Sequence, residues 1–156
     1  MSQLELLKFV PFRLNRLAAE VSGEVAKVYA DRFGISIVEW RIMATLAVRE
    51  PCSAQLIVRC TRTHKSRVSR GANRLIDTGL VARVDHEADD EDRRESLLRL
   101  TEKGRRLYRR MVPPVLAQEA SILDCLDAEE RRVFTLALDK LERSLGLVQD
   151  LHTPHD

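Results

Sequence analysis

The chain has 156 residues, of which 44% are apolar and 32% charged, the length and composition of one ordinary soluble domain. Its three cysteines, Cys52, Cys60 and Cys125, form no CxxC pair, which excludes a disulfide scaffold and a four-cysteine zinc site. The N-terminal residues lack the pattern of a signal peptide, and no stretch is apolar enough to span a bilayer. We therefore expect a cytoplasmic protein that does not contact a membrane.

The net charge of +2 is unevenly distributed along the chain. Residues 51–76 contain no acidic side chain and six basic ones, which leaves 20 basic and 24 acidic residues elsewhere. The six are Arg59, Arg62, Lys65, Arg67, Arg70 and Arg74. A basic segment in an otherwise acidic chain indicates a polyanionic partner. A solvated basic helix face is the alternative.

Apolar residues at heptad-like spacing predict a long first helix from about Leu4 to Tyr29, with a narrow seam suited to packing on another helix. The seam consists of Leu7, Val10, Leu14, Leu17, Val21 and Val28. Pro11 is expected at a kink or near the first turn, because proline has no N–H to donate inside a helix. Gly34 is expected to supply the left-handed cap that ends this segment.

Two shorter helices are predicted to follow. Ser36 and Glu39 have the spacing of a capping box and begin a second helix, which Pro51 terminates. Ser53 is then expected to cap a short third helix with the sequence SAQLIVRC.

The basic segment continues into a fourth predicted helix, HKSRVSRGANRLIDTG, with Thr63 as its cap and Gly79 at its end. Its inward-facing residues are Val68, Ala72, Leu75 and Ile76. Its start and opposite face carry the predicted DNA-binding residues Thr63, His64, Lys65, Ser66, Arg67, Ser69, Arg70, Asn73 and Arg74. Arginine and lysine neutralise phosphates, and serine and asparagine hydrogen-bond to phosphate oxygens or base edges. Gly71 weakens the helix, and we expect it to let another element pack closely.

After Leu80 the pattern changes to two short apolar runs, LVARV and SLLRL, on either side of DHEADDEDRRE. This pattern predicts a two-stranded hairpin with a charged tip. Short helices followed by a hairpin have the winged helix-turn-helix layout. We expect the acidic residues of the tip to orient an arginine, Arg93 or Arg94, toward the narrow minor groove. A solvated loop is the alternative.

The C-terminal third is predicted to be helical. Thr101 begins the helix TEKGRRLYRRM, and Pro113 and Pro114 are expected to kink or break it before VLAQEASILDCL continues. Asp127 and Glu130 then cap a last helix with an apolar face. This face and the seam of the first helix have no evident partner in so small a core, so we expect them to pack across a homodimer. Packing within one chain is the alternative.

Three segments of this sequence resemble the multiple antibiotic resistance regulator (MarR) family of bacterial transcription factors. They are FGISIVEWRIMATLA, HKSRVSRGANRLIDTGLVAR and DDEDRRESLLRLTEKGRRLY, and the resemblance extends over about residues 10–145. It implies one mainly α (α+β) MarR-type domain over 1–156, with a winged helix-turn-helix over about 35–100. Helices over about 4–30 and 101–148 would form the dimerisation domain.

The resemblance also implies a DNA-binding mode. The helix His64–Thr78 would enter the major groove of a pseudo-palindromic operator, and Arg94 would reach the minor groove, held by Asp92. One departure is Asp90, which stands where proline is frequent in the family. Most members are repressors, and a homodimer presents two recognition helices to half-sites one helical turn apart, about 34–36 Å.

A small aromatic, phenolic or acyl-CoA-type effector that releases DNA is a further implication of the resemblance. Arg13 and Arg16 on the first helix, with Trp40, are the predicted effector-binding residues, because guanidinium groups match carboxylate and phosphate geometry. Surface ion pairs are the alternative for both arginines. A thiol switch at Cys60, beside basic residues that lower a thiol pKa, is weighed against a buried structural cysteine.

Catalysis is not expected. The four histidines have neither HxxxH nor HExxH spacing, and the sequence contains no phosphate-binding glycine motif and no nucleophile elbow. We therefore expect no enzyme, no cofactor and no metal. The competing interpretations are a general double-strand DNA-binding architectural protein without an effector, and a helical adaptor that binds an acidic protein.

Overall fold

The computed structural model describes residues 4–84 and 96–147. They form six helices and a small antiparallel sheet, which confirms the predicted mainly α class with a hairpin. The elements in chain order are α1 Val10–Phe33, α2 Ile37–Val48, β1 Cys52–Ser53, α3 Ala54–Thr61, α4 Lys65–Asp77, β2 Val81–Val84, β3 Leu97–Leu100, α5 Glu102–Leu123 and α6 Ala128–Ser144.

The first helix lies further along the chain than its apolar spacing predicts. It begins at Val10, with Pro11 in its first turn, because the first N–H groups of a helix have no partner and proline loses nothing there. It ends at Phe33, and Gly34 caps it with a φ of 64°. The position of Pro11 near the first turn and the glycine cap that ends the segment are confirmed, whereas the predicted start at about Leu4 is wrong.

The helix caps predicted at Ser36, Ser53 and Asp127 are confirmed, and Thr101, predicted to begin a helix, also caps it. Both hydrogen bonds of a capping box are present at Ser36, where α2 begins, and at Asp127, where α6 begins. The hydroxyl of Ser53 accepts the N–H of Leu56, and that of Thr101 accepts the N–H of Gly104. Each cap satisfies an N–H that the helix itself leaves unpaired.

The cap predicted for α4 is wrong. His64 occupies the cap position, and its ring Nδ1 accepts the N–H of Ser66 at 3.3 Å. Thr63 is buried instead, where its hydroxyl donates to the carbonyl of Thr61 and accepts from Arg41. Because Arg62 adopts a left-handed conformation, with a φ of 51°, the chain turns there and directs Thr63 inward.

The predicted break at Pro113 and Pro114 does not occur, since α5 continues from Glu102 to Leu123. The two carbonyls that lose a helical donor belong to Arg109 and Arg110, both exposed residues, where water can replace the missing N–H groups. The helix therefore connects the winged helix to the C-terminal part of the chain without interruption.

The sheet has three strands rather than two, in the order β1-β3-β2. Val81 pairs with Leu100 and Val84 with Leu97 in the predicted hairpin, while Cys52 pairs with Leu98 in the added strand. A two-residue strand has no alternation for a sequence pattern to detect, so β1 was not predictable.

The core lies between the sheet and helices α2 to α5. Its fully buried side chains include Ile42, Met43, Leu46, Ile57 and Leu75. Outside this core, α6 has no buried residue. None of the described helices is long and apolar enough to cross a membrane.

Candidate nucleic-acid interface

The inward face of α4 packs against α2, as its apolar spacing predicts. Val68, Ala72 and Leu75 are buried. A Cβ on Gly71 would lie 3.0 Å from the Cδ1 of Ile42 and 3.1 Å from a Cγ of Val38. Gly71 therefore accounts for the close approach of α4 to α2, which confirms the expectation that another element packs against it.

The opposite face of α4 is a polar and basic surface, called the α4 surface below. Its residues are Lys65, Ser66, Arg67, Ser69, Arg70, Asn73 and Arg74, and all seven are exposed. His64 is exposed beside them, while the burial of Thr63 removes that side chain from the predicted set. With no acidic residue in its first turn, α4 presents its positive N-terminal dipole together with fixed cations.

One edge of the α4 surface borders the beginning of α2. Arg67, Arg70 and Arg74 line a shallow cavity of about 260 Å³ with Ser36 and Glu39. The carboxylate of Glu39 accepts the N–H of Ser36 at 2.7 Å and lies 3.2 Å from the Nε of Arg74. Glu39 thus fixes Arg74 in place, while the Nε of Arg70 donates to the carbonyl of Ser66 at 3.3 Å.

The other edge of the α4 surface borders the hairpin. Arg83, on β2, donates from its Nη2 to the Oδ1 of Asn73 at 3.1 Å. Both residues are exposed, so this hydrogen bond links α4 to β2 at the surface. This pairing could not be predicted from a local pattern, because it joins residues on different elements.

The beginning of α5 holds the turn that follows α4. Lys103 donates from its Nζ to the carbonyl of Thr78 at 2.7 Å. The hydroxyl of Thr101 donates to the carbonyl of Gly79, also at 2.7 Å. A Cβ on Gly104 would lie 2.0 Å from the carbonyl oxygen of Leu80. The segment 100–104 therefore joins the beginning of α5 to the end of α4. This role could not be predicted from its sequence.

Glu50 connects three segments of the chain, a role that no sequence motif indicates. Its carboxylate accepts the N–H of Leu100 and the guanidinium of Arg105, both at 2.7 Å. It therefore ties the segment after α2 to β3 and α5. No local sequence pattern predicts these contacts, because the two partners are 50 and 55 residues away from Glu50 in the sequence.

The wing-tip residues Asp92, Arg93 and Arg94, with Asp90, lie outside the described residues. The predicted entry of Arg94 into the minor groove and its orientation by Asp92 remain predictions. Of the strands that precede and follow these residues, β2 contacts α4 through the hydrogen bond between Arg83 and Asn73.

The predicted effector-binding residues are not all brought together. Arg13 and Arg16 line an apolar groove of about 520 Å³ with side chains of α1 and with Phe134, and Arg16 also lies over the ring of Phe12. Trp40 stacks between Tyr29 and Tyr108, at centroid distances of 5.4 and 5.6 Å. Tyr29 lies thirteen positions after Arg16, about 20 Å along α1, so within one chain Trp40 has different neighbours from the two arginines.

The cysteines differ in their accessibility. Cys52 is fully buried, and burial raises its pKa to about 11, whereas Cys125 is exposed and Cys60 is intermediate. Among the described residues, no group of histidine, cysteine or acidic side chains is arranged to hold a metal ion.

Comparisons with known proteins agree with this geometry. The MarR family model matches residues 33–95, which confirms the resemblance predicted from the sequence. A comparison with curated protein sequences gave no significant match.

Similar solved structures extend the agreement to most of the chain. A MarR/EmrR family regulator from an Acinetobacter species is 25% identical over 92% of this chain and 99% of its own, with a TM-score of 0.78. A Mycobacterium tuberculosis MarR family protein in complex with p-aminosalicylic acid is 26% identical over 85% of this chain and 98% of its own, with a TM-score of 0.71. Bordetella bronchiseptica BpsR, whose DNA binding is regulated by 6-hydroxynicotinic acid, is 23% identical over 90% of this chain and 98% of its own. Its TM-score is 0.76.

Proposed function

We propose that this protein, whose residues 33–95 match the MarR family model, is a sequence-specific, double-stranded DNA-binding transcriptional regulator and not an enzyme. The observation that carries the proposal is the α4 surface, where basic residues alternate with serine and asparagine and all are exposed. Such a surface combines phosphate neutralisation with groups that hydrogen-bond to base edges in the major groove. A cytoplasmic, nucleoid-associated location follows from this role.

The proposal includes a homodimer. Leu7, which precedes α1, and Val10, Leu14 and Leu17 on α1 are exposed, and so are several apolar residues of α6. Those of α6 are Val133, Phe134, Leu136 and Leu141. Apolar faces of this extent are characteristic of interaction surfaces, and a second copy would cover both helices while placing two α4 surfaces on one side of a duplex.

We further propose that an aromatic acid or acyl-CoA-type effector lowers the affinity for DNA, which would make the protein a ligand-released repressor. The complex of the Mycobacterium protein with p-aminosalicylic acid and the regulation of BpsR by 6-hydroxynicotinic acid support the aromatic acid among these effectors. In this chain, Arg13 and Arg16 at the apolar groove supply cations for a carboxylate beside apolar carbon. An effector shifts the equilibrium only as far as its affinities for the two states differ.

DNA binding is tested by selecting bound fragments from the source genome and measuring competition by random duplex at matched salt. A regulator should prefer its operator by about 10³–10⁷ over non-specific duplex. An architectural protein would bind both equally, and an adaptor would bind neither tightly.

The placement of α4 on DNA is tested with a matched pair of variants. Arg70→Ala should weaken operator binding and reduce the salt slope by about one. Arg106→Ala removes the same charge from α5, where Arg106 pairs with Glu102, and should leave both quantities nearly unchanged. Equal effects of the two variants would show that only net charge matters.

Effector binding is tested by thermal shift with salicylic acid, 6-hydroxynicotinic acid and an aromatic acyl-CoA thioester, followed by DNA binding in their presence. Stabilisation that is lost in Arg13→Ala and Arg16→Ala would support the groove. Stabilisation that persists in both variants would place the effector elsewhere, and no effect on DNA binding would contradict release.

A further inference from the structure

The hydrogen bond between Arg83 and Asn73 fixes which atoms of the Asn73 amide are available to a partner. A guanidinium group has only donors, so the amide atom that faces the Nη2 of Arg83 at 3.1 Å is the oxygen, Oδ1. The amide nitrogen, with its two N–H donors, is then on the side away from Arg83. Without Arg83, the amide could rotate and present either atom.

The orientation of the Asn73 amide affects which base it can recognise. Asparagine reads adenine by pairing its oxygen with the adenine amino group and its nitrogen with N7. In this protein Arg83 occupies one of the two lone pairs of that oxygen, so a base group that approaches the oxygen also meets the donors and the positive charge of the guanidinium. Because the guanidinium has donors and no acceptor, it opposes the amino group of adenine, whereas the acceptors O6 and N7 of guanine match the N–H donors of the pair.

We propose that Arg83 is a specificity-determining positioning residue, which makes Asn73 prefer guanine over adenine at the base pair that it meets. The inference rests on the proposed function, since it requires that α4 enter the major groove. It extends that function, because it assigns a role to a strand residue that lies off the recognition helix.

The geometry of the sheet provides a matched control. Arg83 pairs across the sheet with Leu98, and Arg99 pairs with Ala82. Successive residues of a strand point to opposite faces, so Arg99 projects from the face opposite to Arg83. Arg99→Ala removes the same charge from the wing without removing the partner of Asn73.

The experiment selects preferred duplexes from a random library with the wild-type protein, then measures the affinity for the best duplex with each base pair exchanged in turn. One position should show a preference for G·C over A·T of about five-fold or more, the lower end of the discrimination expected from a base contact. Arg83→Ala should reduce that preference to less than about two-fold. Asn73→Ala should do the same, and combining the two substitutions should change it no further.

Arg99→Ala should retain the preference, whatever it does to overall affinity. If Arg83→Ala weakened binding to all duplexes equally, Arg83 would be a phosphate contact and the inference would be overturned. It would also be overturned if the preference survived in Arg83→Ala. If the wild-type protein selected no sequence at all, the proposed function itself would fail. Thermal unfolding of each variant checks that the fold is retained.

Discussion

Glu39 and Arg74 join the beginning of α2 to the α4 surface. The side chain of Glu39 is only 3% exposed and that of Arg74 is 67% exposed, and Glu39 Oε1 lies 3.2 Å from Arg74 Nε. The same carboxylate accepts the N–H of Ser36. One buried acid therefore both closes a helix cap and orients a cation on the face proposed to bind DNA.

Glu39→Ala should lower the free energy of unfolding by about 1–2 kcal/mol, because it leaves the N–H of Ser36 without its partner. Glu39→Gln keeps an oxygen acceptor at the same position and should lose less. Arg74→Ala should have little effect on stability, since ion pairs with an exposed member contribute little. Urea denaturation of the three variants measures these differences, and equal losses in Glu39→Ala and Arg74→Ala would show that the ion pair matters more than the cap.

Gly104→Ala should lower the free energy of unfolding by about 2–3 kcal/mol, a typical cost of overpacking. The added Cβ would lie 2.0 Å from the carbonyl oxygen of Leu80, a backbone atom that cannot move aside without shifting the turn after α4. DNA affinity should fall as well, because that turn positions α4.

Gly23→Ala is the matched control for this substitution. Gly23 also lies inside a helix, but no atom would lie within 4 Å of the added Cβ. The variant should therefore gain about 0.5–1 kcal/mol from helix propensity. Thermal or urea unfolding should show a lower free energy of unfolding for Gly104→Ala and a higher one for Gly23→Ala. Destabilisation by Gly23→Ala would contradict the conclusion that the added Cβ has room at that position.

Leu17→Asp should convert the proposed homodimer into a monomer. Leu17 is 52% exposed in one chain, and the proposed partner would cover it, so the substitution would bury a carboxylate without a counterion. Val48→Asp is the control, because Val48 is 69% exposed at the end of α2, away from α1 and α6. Light scattering after gel filtration should give half the mass for Leu17→Asp only, and an unchanged mass for both variants would contradict the interface.

The local features of this fold were predictable, and the contacts between distant segments were not. The caps at Ser36, Ser53 and Asp127 follow from the short-range hydrogen bonds that these side chains make to nearby N–H groups. The alternation of buried and exposed residues on α4 follows from the helical period. Thr63 failed as a cap because tertiary packing turned it inward, where Arg41 contacts it.

In the candidate site, too, the local features were predictable and the contacts between distant segments were not. The exposed residues of the α4 surface could be identified from one helix alone. The roles of Glu50, Arg83 and Gly104 depend on partners from other elements, at sequence separations that no local pattern encodes. The surroundings of Trp40, which stacks between Tyr29 and Tyr108, likewise depend on contacts between helices and not on any pattern near Arg16.

Alkaline pH should destabilise the protein partly through Cys52. Burial raises its pKa from the ordinary value of 9.0 to about 11, so between these values the unfolded chain loses a proton that the folded chain retains. The stability contributed by the neutral buried thiol is therefore complete below pH 9 and is lost as the pH rises toward 11. The loss should amount to about 2–3 kcal/mol.

Urea denaturation of the wild type and of Cys52→Ala, at several pH values from 7 to 11, measures this contribution. Burial also raises the pKa of Tyr29 and Tyr108, but their contribution is common to both proteins and cancels in the comparison. The wild type should lose more stability than Cys52→Ala across this range, because only the wild type has the buried thiol to ionise. Parallel pH profiles would show that Cys52 ionises as readily in the folded chain as in the unfolded one.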